Sequence, residues 1–116
     1  MRLLGVLFAG VASVMSCNAN ATQLVRASFY GGGEYLNKHT SNGEVFNARA
    51  LTAAHRTLPI GTRVRVTYKG KSCVVRINDR GPAAWTGRSL DLSRGAAGRI
   101  GLIRAGIGAV TLEVMR

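Results

Sequence analysis

Acidic side chains are scarce in this chain, which has five of them against sixteen lysines and arginines and a formal net charge of +11. So large a basic excess indicates a polyanionic partner. The basic residues are scattered singly and do not form a run interleaved with aromatic residues, as single-strand nucleic-acid binders show. We therefore expect no nucleic-acid binding and favour an anionic cell-wall polymer or a membrane surface as the partner.

Long apolar runs are missing as well, and the longest one, Leu3 to Val14, is too short to span a bilayer. It follows Arg2 and precedes the small-residue site Ala19-Asn20-Ala21, which is the pattern of an export signal. We expect residues 1–21 to be a signal peptide and residues 22–116 to be one domain. Loss of Arg2 leaves fifteen basic residues against five acidic ones, a formal charge of +10.

Cysteine occurs only twice, as Cys17 within the presumed signal and as Cys73. No intrachain disulfide is then possible in the mature domain. Cys73 shares one face of a predicted strand with Val75 and Ile77, so we expect a buried structural thiol. The segment ending at Cys17 also resembles a lipobox, which leaves two alternatives open: soluble release after Ala21 into the periplasm or envelope, or a lipid anchor on Cys17.

Helical periodicity is absent over most of the chain, whereas glycine is abundant and apolar residues alternate in short segments, which favours a small β-barrel. The Lys69-Gly70-Lys71 segment predicts a tight hairpin turn. Ser93 is predicted to cap a short helix over Arg94 to Leu102. The predicted strands are Leu24–Tyr30, Leu51–Ala54, Arg63–Tyr68, Ser72–Ile77, Arg88–Leu92 and Ala109–Met115.

Three separate segments each supply one group suited to acid–base chemistry: Glu44, His55 and Asp79. Asp79 lies between a predicted strand and a Gly-Pro turn, where it is either a turn former or a group kept for chemistry. Its neighbours Arg76 and Arg80 favour an ionised carboxylate, whereas a general acid must carry a proton. If nothing opposes the arginines, Glu44 is the better acid.

The order of these segments resembles the rare lipoprotein A family of lytic transglycosylases. The similar motifs run from Ala27-Ser28-Phe29-Tyr30-Gly31 through Thr40-Ser41-Asn42-Gly43-Glu44, Thr52-Ala53-Ala54-His55, Leu58-Pro59-Ile60-Gly61-Thr62 and Val75-Arg76-Ile77-Asn78-Asp79-Arg80-Gly81-Pro82 to Asp91-Leu92-Ser93. The resemblance implies a mainly β fold, a six-stranded double-psi β-barrel with one or two short helices. It also implies cleavage of the β-1,4 bond between N-acetylmuramic acid and N-acetylglucosamine, with the muramic 6-hydroxyl closing an anhydro ring.

The resemblance assigns catalysis to Asp79 as the leading acid/base, to Glu44 as second carboxylate or positioning group, and to His55 as orienting donor or proton partner. Asp91 is a further candidate acid, or else a cap for the following turn or helix. The expected substrate-binding residues are Tyr30, Asn78, Arg80, Trp85 and Asp91, and we expect a monomer with no cofactor and no metal. Tyr30 and Trp85 could stack on sugar rings.

Many members of this family carry a lipidated N-terminus and a C-terminal glycan-binding domain, and we expect this chain to lack that second domain. Three classes of function stay open at this point, one of them a basic, envelope-associated structural protein. The enzyme is favoured because Glu44, His55 and Asp79 are all present, and the alternative is a non-catalytic, expansin-like module that binds cell-wall glycan.

Overall fold

A computed structural model describes residues 22–30, 39–41 and 43–115, and the expected signal peptide with Cys17 lies outside these described residues. The described ranges contain six strands and one short α-helix. Their bounds are β1 Thr22–Tyr30, β2 Thr52–His55, β3 Arg63–Tyr68, β4 Lys71–Asp79, β5 Leu90–Ser93, α1 Arg94–Ile100 and β6 Ile107–Val114. A 3₁₀ turn covers Ala84–Thr86.

The six strands close into a barrel in the order β1-β5-β2-β4-β3-β6. The pairs β1–β5 and β2–β4 are parallel, and the other four pairs are antiparallel. Closure leaves these strands without a free edge, which lets so small a sheet stand alone. The predicted six-stranded barrel is confirmed.

Alternating strand residues fill the barrel core, as the sequence predicts. Val64, Val66, Val75 and Ile77 are all at most 1% exposed. Cys73 is buried on the same face of β4, which confirms the structural thiol, and burial raises the pKa of that thiol. Its proton therefore stays on the sulfur at neutral pH, and the thiol packs as a small apolar group.

The hairpin between β3 and β4 turns on Lys69 and Gly70, whose φ values are +49° and +86°. Two consecutive residues with positive φ give the turn whose twist matches that of paired strands. The hairpin sets the register in which Val64 faces Val75 and Val66 faces Cys73. The predicted turn is therefore confirmed.

Helix α1 fastens the long β1–β2 connection to the barrel. Its N-cap Ser93 accepts a hydrogen bond from Ala96 N and donates to the carbonyl oxygen of Ala50 at 2.6 Å. Gly95 donates its N–H to Ala48 O, and a Cβ at Gly95 would lie 2.5 Å from the carbonyl oxygen of Arg49. Only glycine allows this approach, which places residues 43–51 beside the ends of β2 and β4.

Most of the predicted bounds differ from the structure by one or two residues, and only Arg63–Tyr68 matches at both ends. The helix ends at Ile100 and does not reach Leu102, because Gly101 takes a left-handed conformation and closes the last turn. The fifth strand begins at Leu90, two residues later than expected, because Arg88 belongs to the preceding loop. The capping role of Ser93 is confirmed.

Candidate active site

Four residues form one row across neighbouring strands of the barrel. Ser28 of β1 pairs with Asp91 of β5, Asp91 pairs with Ala54 of β2, and Ala54 pairs with Asp79 of β4. Residues in register on adjacent strands present their side chains on the same face. Two strand spacings separate the Asp79 and Asp91 backbones, about 10 Å. Ala54, with its single methyl group, forms the floor between two carboxylates.

A cleft of about 360 Å³ lies over this row. The residues that line it come from β1, β2, β4 and β5, from the residue after β4, and from the β1–β2 connection. Its lining consists of Tyr30, His39, Thr40, Ser41, Phe46, Ala54, Asp79, Arg80 and Asp91.

Asp79, the last residue of β4, lines the cleft with one of its oxygens tied down. Its Oδ1 accepts hydrogen bonds from Ser41 N at 2.9 Å, from Arg80 N at 2.8 Å and from the Ser41 hydroxyl. Within the described ranges no donor reaches Oδ2. The side chain is therefore held in one orientation, with Oδ2 as the oxygen on which a transferable proton can reside.

Asp91 lines the same cleft and is held from β1. The Ser28 hydroxyl donates to its Oδ1 at 2.8 Å, and the Arg88 guanidinium donates in turn to the Ser28 hydroxyl. The alternative in which Asp91 caps the following helix is wrong, because the α1 N-cap is Ser93. Asp91 instead stands within β5 as a second carboxylate of the cleft.

Tyr30 also lines the cleft, and its hydroxyl is buried. Its ring stacks on Phe46 with centroids 5.1 Å apart, and its buried hydroxyl has no hydrogen-bond partner in the described structure. Burial raises the pKa of Tyr30, and the negative charges of Asp79 and Asp91 raise it further. The phenol is therefore a proton-bearing donor close to both carboxylates, and a bound ligand could supply the missing acceptor.

Glu44 lies beside the cleft and is absent from its lining. Its carboxylate forms a two-pronged ion pair with Arg76 of β4, at 2.5 and 2.9 Å, and also accepts from Asn78 Nδ2 at 3.2 Å. The hydrogen bond to Glu44 is the main cause of a raised pKa at Arg76. Because the pair holds Glu44 as a carboxylate, its geometry suits a group that fixes the β1–β2 connection onto β4.

Asn78 is 3% exposed, and its Oδ1 has no hydrogen-bond partner within the described structure. The β2–β4 register shifts between Ala53 and Ala54, where Ala53 faces Ile77 and Ala54 faces Asp79, so Asn78 is the extra residue. Such a bulge re-aims the following side chain. It brings Asp79 into the row with Ala54.

His55 ends β2, next to Ala54, and is likewise absent from the cleft lining. Its Nδ1 accepts hydrogen bonds from the backbone N–H groups of Thr57 and Leu58, both at 3.1 Å. Burial lowers the pKa of His55, and the charges of Arg56 and Arg80 lower it further. A neutral ring that accepts at Nδ1 carries its proton on Nε2.

Two arginines tie the loops around the cleft together. Arg80 donates to the carbonyl oxygens of His55 at 3.1 Å and Leu58 at 2.6 Å. Arg56 donates to the carbonyl oxygens of Pro82 at 2.8 Å and Arg88 at 2.7 Å, which brackets the loop that carries Trp85. Trp85 is 88% exposed and outside the cleft lining.

The structure brings only some of the predicted site residues into the cleft. Asp79, Asp91, Tyr30 and Arg80 line one cleft, whereas the other predicted residues are absent from its lining: Glu44, His55, Asn78 and Trp85. Sequence reasoning did not single out Ser28, Ser41, Phe46, Ala54 or Arg88 as site residues. Ser28, Ser41 and Ala54 lie within the motifs quoted above. No local sequence pattern shows that Ser28 and Ser41 contact the two carboxylates, because their hydrogen-bond partners are dozens of residues away in the chain.

Among the described residues, no group of three or more His, Cys, Asp or Glu side chains is placed to hold a metal ion. In the same part of the chain, no helix is long and apolar enough to cross a membrane. The described lining of the cleft itself supplies two carboxylates, the Tyr30 phenol, the Arg80 guanidinium, the His39 imidazole and two hydroxyl groups.

A family model described as lytic transglycolase matches residues 22–112. The chain belongs to this family. It is 56% identical over 92 residues to the probable endolytic peptidoglycan transglycosylase RlpA of Synechocystis sp., a match that covers 78% of this chain and 28% of the relative. The RlpA of Vibrio cholerae is 48% identical over 96 residues, covering 81% of this chain and 36% of the relative. The chain spans about a third of the length of these lytic transglycolase relatives.

Solved structures support the fold alone. An expansin of Clavibacter michiganensis matches with a TM-score of 0.66 and 23% identity, covering 83% of this chain and 51% of that one. The Streptomyces papain inhibitor matches with the same TM-score and 19% identity, covering 83% and 96%. With the family match, they confirm the expected double-psi β-barrel.

Proposed function

We propose that this chain is a peptidoglycan lytic transglycosylase of the bacterial cell envelope, cleaving the β-1,4 bond between N-acetylmuramic acid and N-acetylglucosamine. The observation that carries the proposal is the pair of carboxylates, Asp79 and Asp91, facing one cleft across the floor of Ala54. Membership of the lytic transglycolase family supports the reaction class, and the names of the relatives support peptidoglycan as the substrate.

In the proposed reaction, Asp79 acts first as acid and then as base. Its Oδ2 gives a proton to the glycosidic oxygen as the bond from that oxygen to the muramic C1 breaks. The muramic 6-hydroxyl then attacks C1, and its proton returns to Asp79, so that no water is consumed. The three donors on Oδ1 keep Oδ2 in place for both transfers.

Asp91 is the second carboxylate of this proposal. Positive charge develops at C1 and the ring oxygen in the oxocarbenium-like transition state. A carboxylate fixed across the cleft from the acid can stabilise that charge without reorganising. This assignment gives the two carboxylates different tasks, as their different hydrogen-bond partners suggest.

We assign positioning or substrate-binding roles to four of the other predicted residues. Glu44 anchors the β1–β2 connection that brings Ser41 to Asp79, and His55 fixes the backbone after β2 while keeping Nε2–H as a donor. The Tyr30 hydroxyl donates to an oxygen of the sugar, and the exposed ring of Trp85 is available for stacking on a sugar ring.

The direct test is digestion of purified glycan strands followed by mass spectrometry of the products. The proposal expects fragments that end in 1,6-anhydro-muramic acid. Fragments with ordinary reducing ends would identify a hydrolase. Binding of glycan without any cleavage would favour the expansin-like binding module.

A further inference from the structure

Ser28 connects Asp91 to a charged residue that no motif had marked as part of the site. Ser28 is 3% exposed, and its hydroxyl donates to Asp91 Oδ1 at 2.8 Å. The Arg88 guanidinium donates to the same hydroxyl oxygen. A partly buried chain of hydrogen bonds therefore runs from Arg88 through Ser28 to the cleft carboxylate.

The direction of this chain is fixed by the chemistry of its first member. A guanidinium only donates hydrogen bonds, so Arg88 occupies a lone pair of the Ser28 oxygen. The single hydroxyl proton then goes to Asp91. Because Ser28 has no other orientation that satisfies both partners, Oδ1 of Asp91 is held as an acceptor, as a carboxylate requires.

The backbone positions both supporting residues. Ser28 lies beside Asp91 in the parallel β1–β5 pairing, so its hydroxyl reaches the carboxylate without bending the strand. Arg88 stands in the loop before β5, and its own carbonyl oxygen accepts a hydrogen bond from Arg56 at 2.7 Å. The next residue, Ser89, donates its N–H to Arg26 O at 3.0 Å. The Arg88 backbone is thus tied on two sides.

We propose that Arg88 and Ser28 are positioning residues for Asp91: they hold its carboxylate in place across the cleft from the charge that develops on the cleaved sugar. This role rests on the proposed function. It predicts that neither residue contributes to the rate except through Asp91.

The test is a double-mutant cycle on the rate of anhydro-end formation. Ser28→Ala and Arg88→Met should each lower kcat about tenfold or more with KM nearly unchanged, since a hydrogen bond to a charged group is lost. In an Asp91→Asn background the same changes should cost almost nothing further. Arg88→Lys, which keeps a charged donor, should recover much of the rate.

Matched controls separate this effect from general damage. Ser72→Ala and Arg94→Met remove the same groups from exposed positions outside the cleft, and both should leave kcat unchanged. Thermal unfolding of every variant shows whether it is folded at the assay temperature. Losses in kcat that add fully to that of Asp91→Asn would overturn the proposal.

A second readout needs no activity. In a carbon-13 NMR spectrum of carboxyl groups, Ser28→Ala and Arg88→Met should each move the Asp91 resonance and leave that of Asp79 in place. An unmoved Asp91 resonance would overturn the network. A wild-type chain that gives no anhydro ends would instead refute the proposed function and the catalytic purpose of the network, while the spectrum still decides whether the coupling exists.

Discussion

Replacing Tyr30 by phenylalanine should stabilise the free protein and weaken its action on glycan, two effects of opposite sign from one oxygen atom. The Tyr30 hydroxyl is buried and has no hydrogen-bond partner among the described residues. Phenylalanine keeps the ring and its stacking on Phe46 but removes the unpaired group. In the free protein, the substitution removes the energetic cost of burying a hydroxyl without a partner. In the complex with glycan, it removes a hydrogen-bond donor to the sugar.

The size of each effect follows from the burial of the group. An unpaired buried hydroxyl costs about 1–3 kcal/mol. Part of that cost can be relaxed by small shifts, so we expect a gain of about 1 kcal/mol in the free energy of unfolding. In a domain of this size, that gain corresponds to a rise in Tm of about 5 °C. A lost neutral hydrogen bond to the sugar, about 0.5–1.5 kcal/mol, lowers kcat/KM by about twofold to tenfold.

Differential scanning calorimetry and the rate of anhydro-end formation measure the two effects on the same samples. Tyr68→Phe is the matched control, since Tyr68 lies at the far end of β3 and outside the cleft lining. A fall in Tm for Tyr30→Phe together with an unchanged kcat/KM would refute the reasoning. That result would mean that the hydroxyl is already satisfied in the free protein and does not meet the substrate.

Three further changes test the account at other points. Ala54→Leu should fill the cleft floor and abolish cleavage and glycan binding while circular dichroism shows an intact fold; retained cleavage would place the substrate elsewhere. Gly95→Ala should lower the free energy of unfolding by about 1–3 kcal/mol, because its Cβ meets the Arg49 carbonyl oxygen, and a urea titration that shows no loss would contradict this close approach. The native pKa of His55 is lowered from the usual value of about 6.5, so the unfolded chain takes up that proton first, and stability should fall as pH drops below 6.5. Urea midpoints at pH 7.5 and 5.5 should show a smaller fall for His55→Asn than for the wild type, and equal falls would remove His55 as the cause.

The strands were the most predictable part of the fold, because each strand's own residues carry the signal. Alternation over Arg63–Tyr68 predicted β3 with both of its bounds, and Lys69-Gly70 predicted the turn that follows. The order of strands in the barrel could not be read from periodicity, since the β1–β5 and β2–β4 pairs join distant segments. The resemblance to a known family supplied the barrel type, and the order of the strands is known from the structure.

The sequence allowed the chemical groups of the candidate site to be predicted. It did not allow their positions relative to one another to be predicted. Asp79 stood out because carboxylates are scarce, and it does line the cleft. The neighbouring position of Asp91 depends on the registers that bring both residues beside Ala54. The ion pair between Glu44 and Arg76 joins residues 32 positions apart, so no local sequence pattern predicts it.

The most direct test of the central claim compares the wild type with Asp79→Asn, which keeps the shape of the side chain and removes its transferable proton. We predict that the rate of anhydro-muramic end formation falls by on the order of a hundredfold or more, the scale of acid–base catalysis. Glycan binding should persist, since the basic excess of the chain is untouched. Glu44→Gln should cost less, because Glu44 stands outside the cleft lining. An Asp79→Asn variant that forms anhydro ends at the wild-type rate would contradict the account.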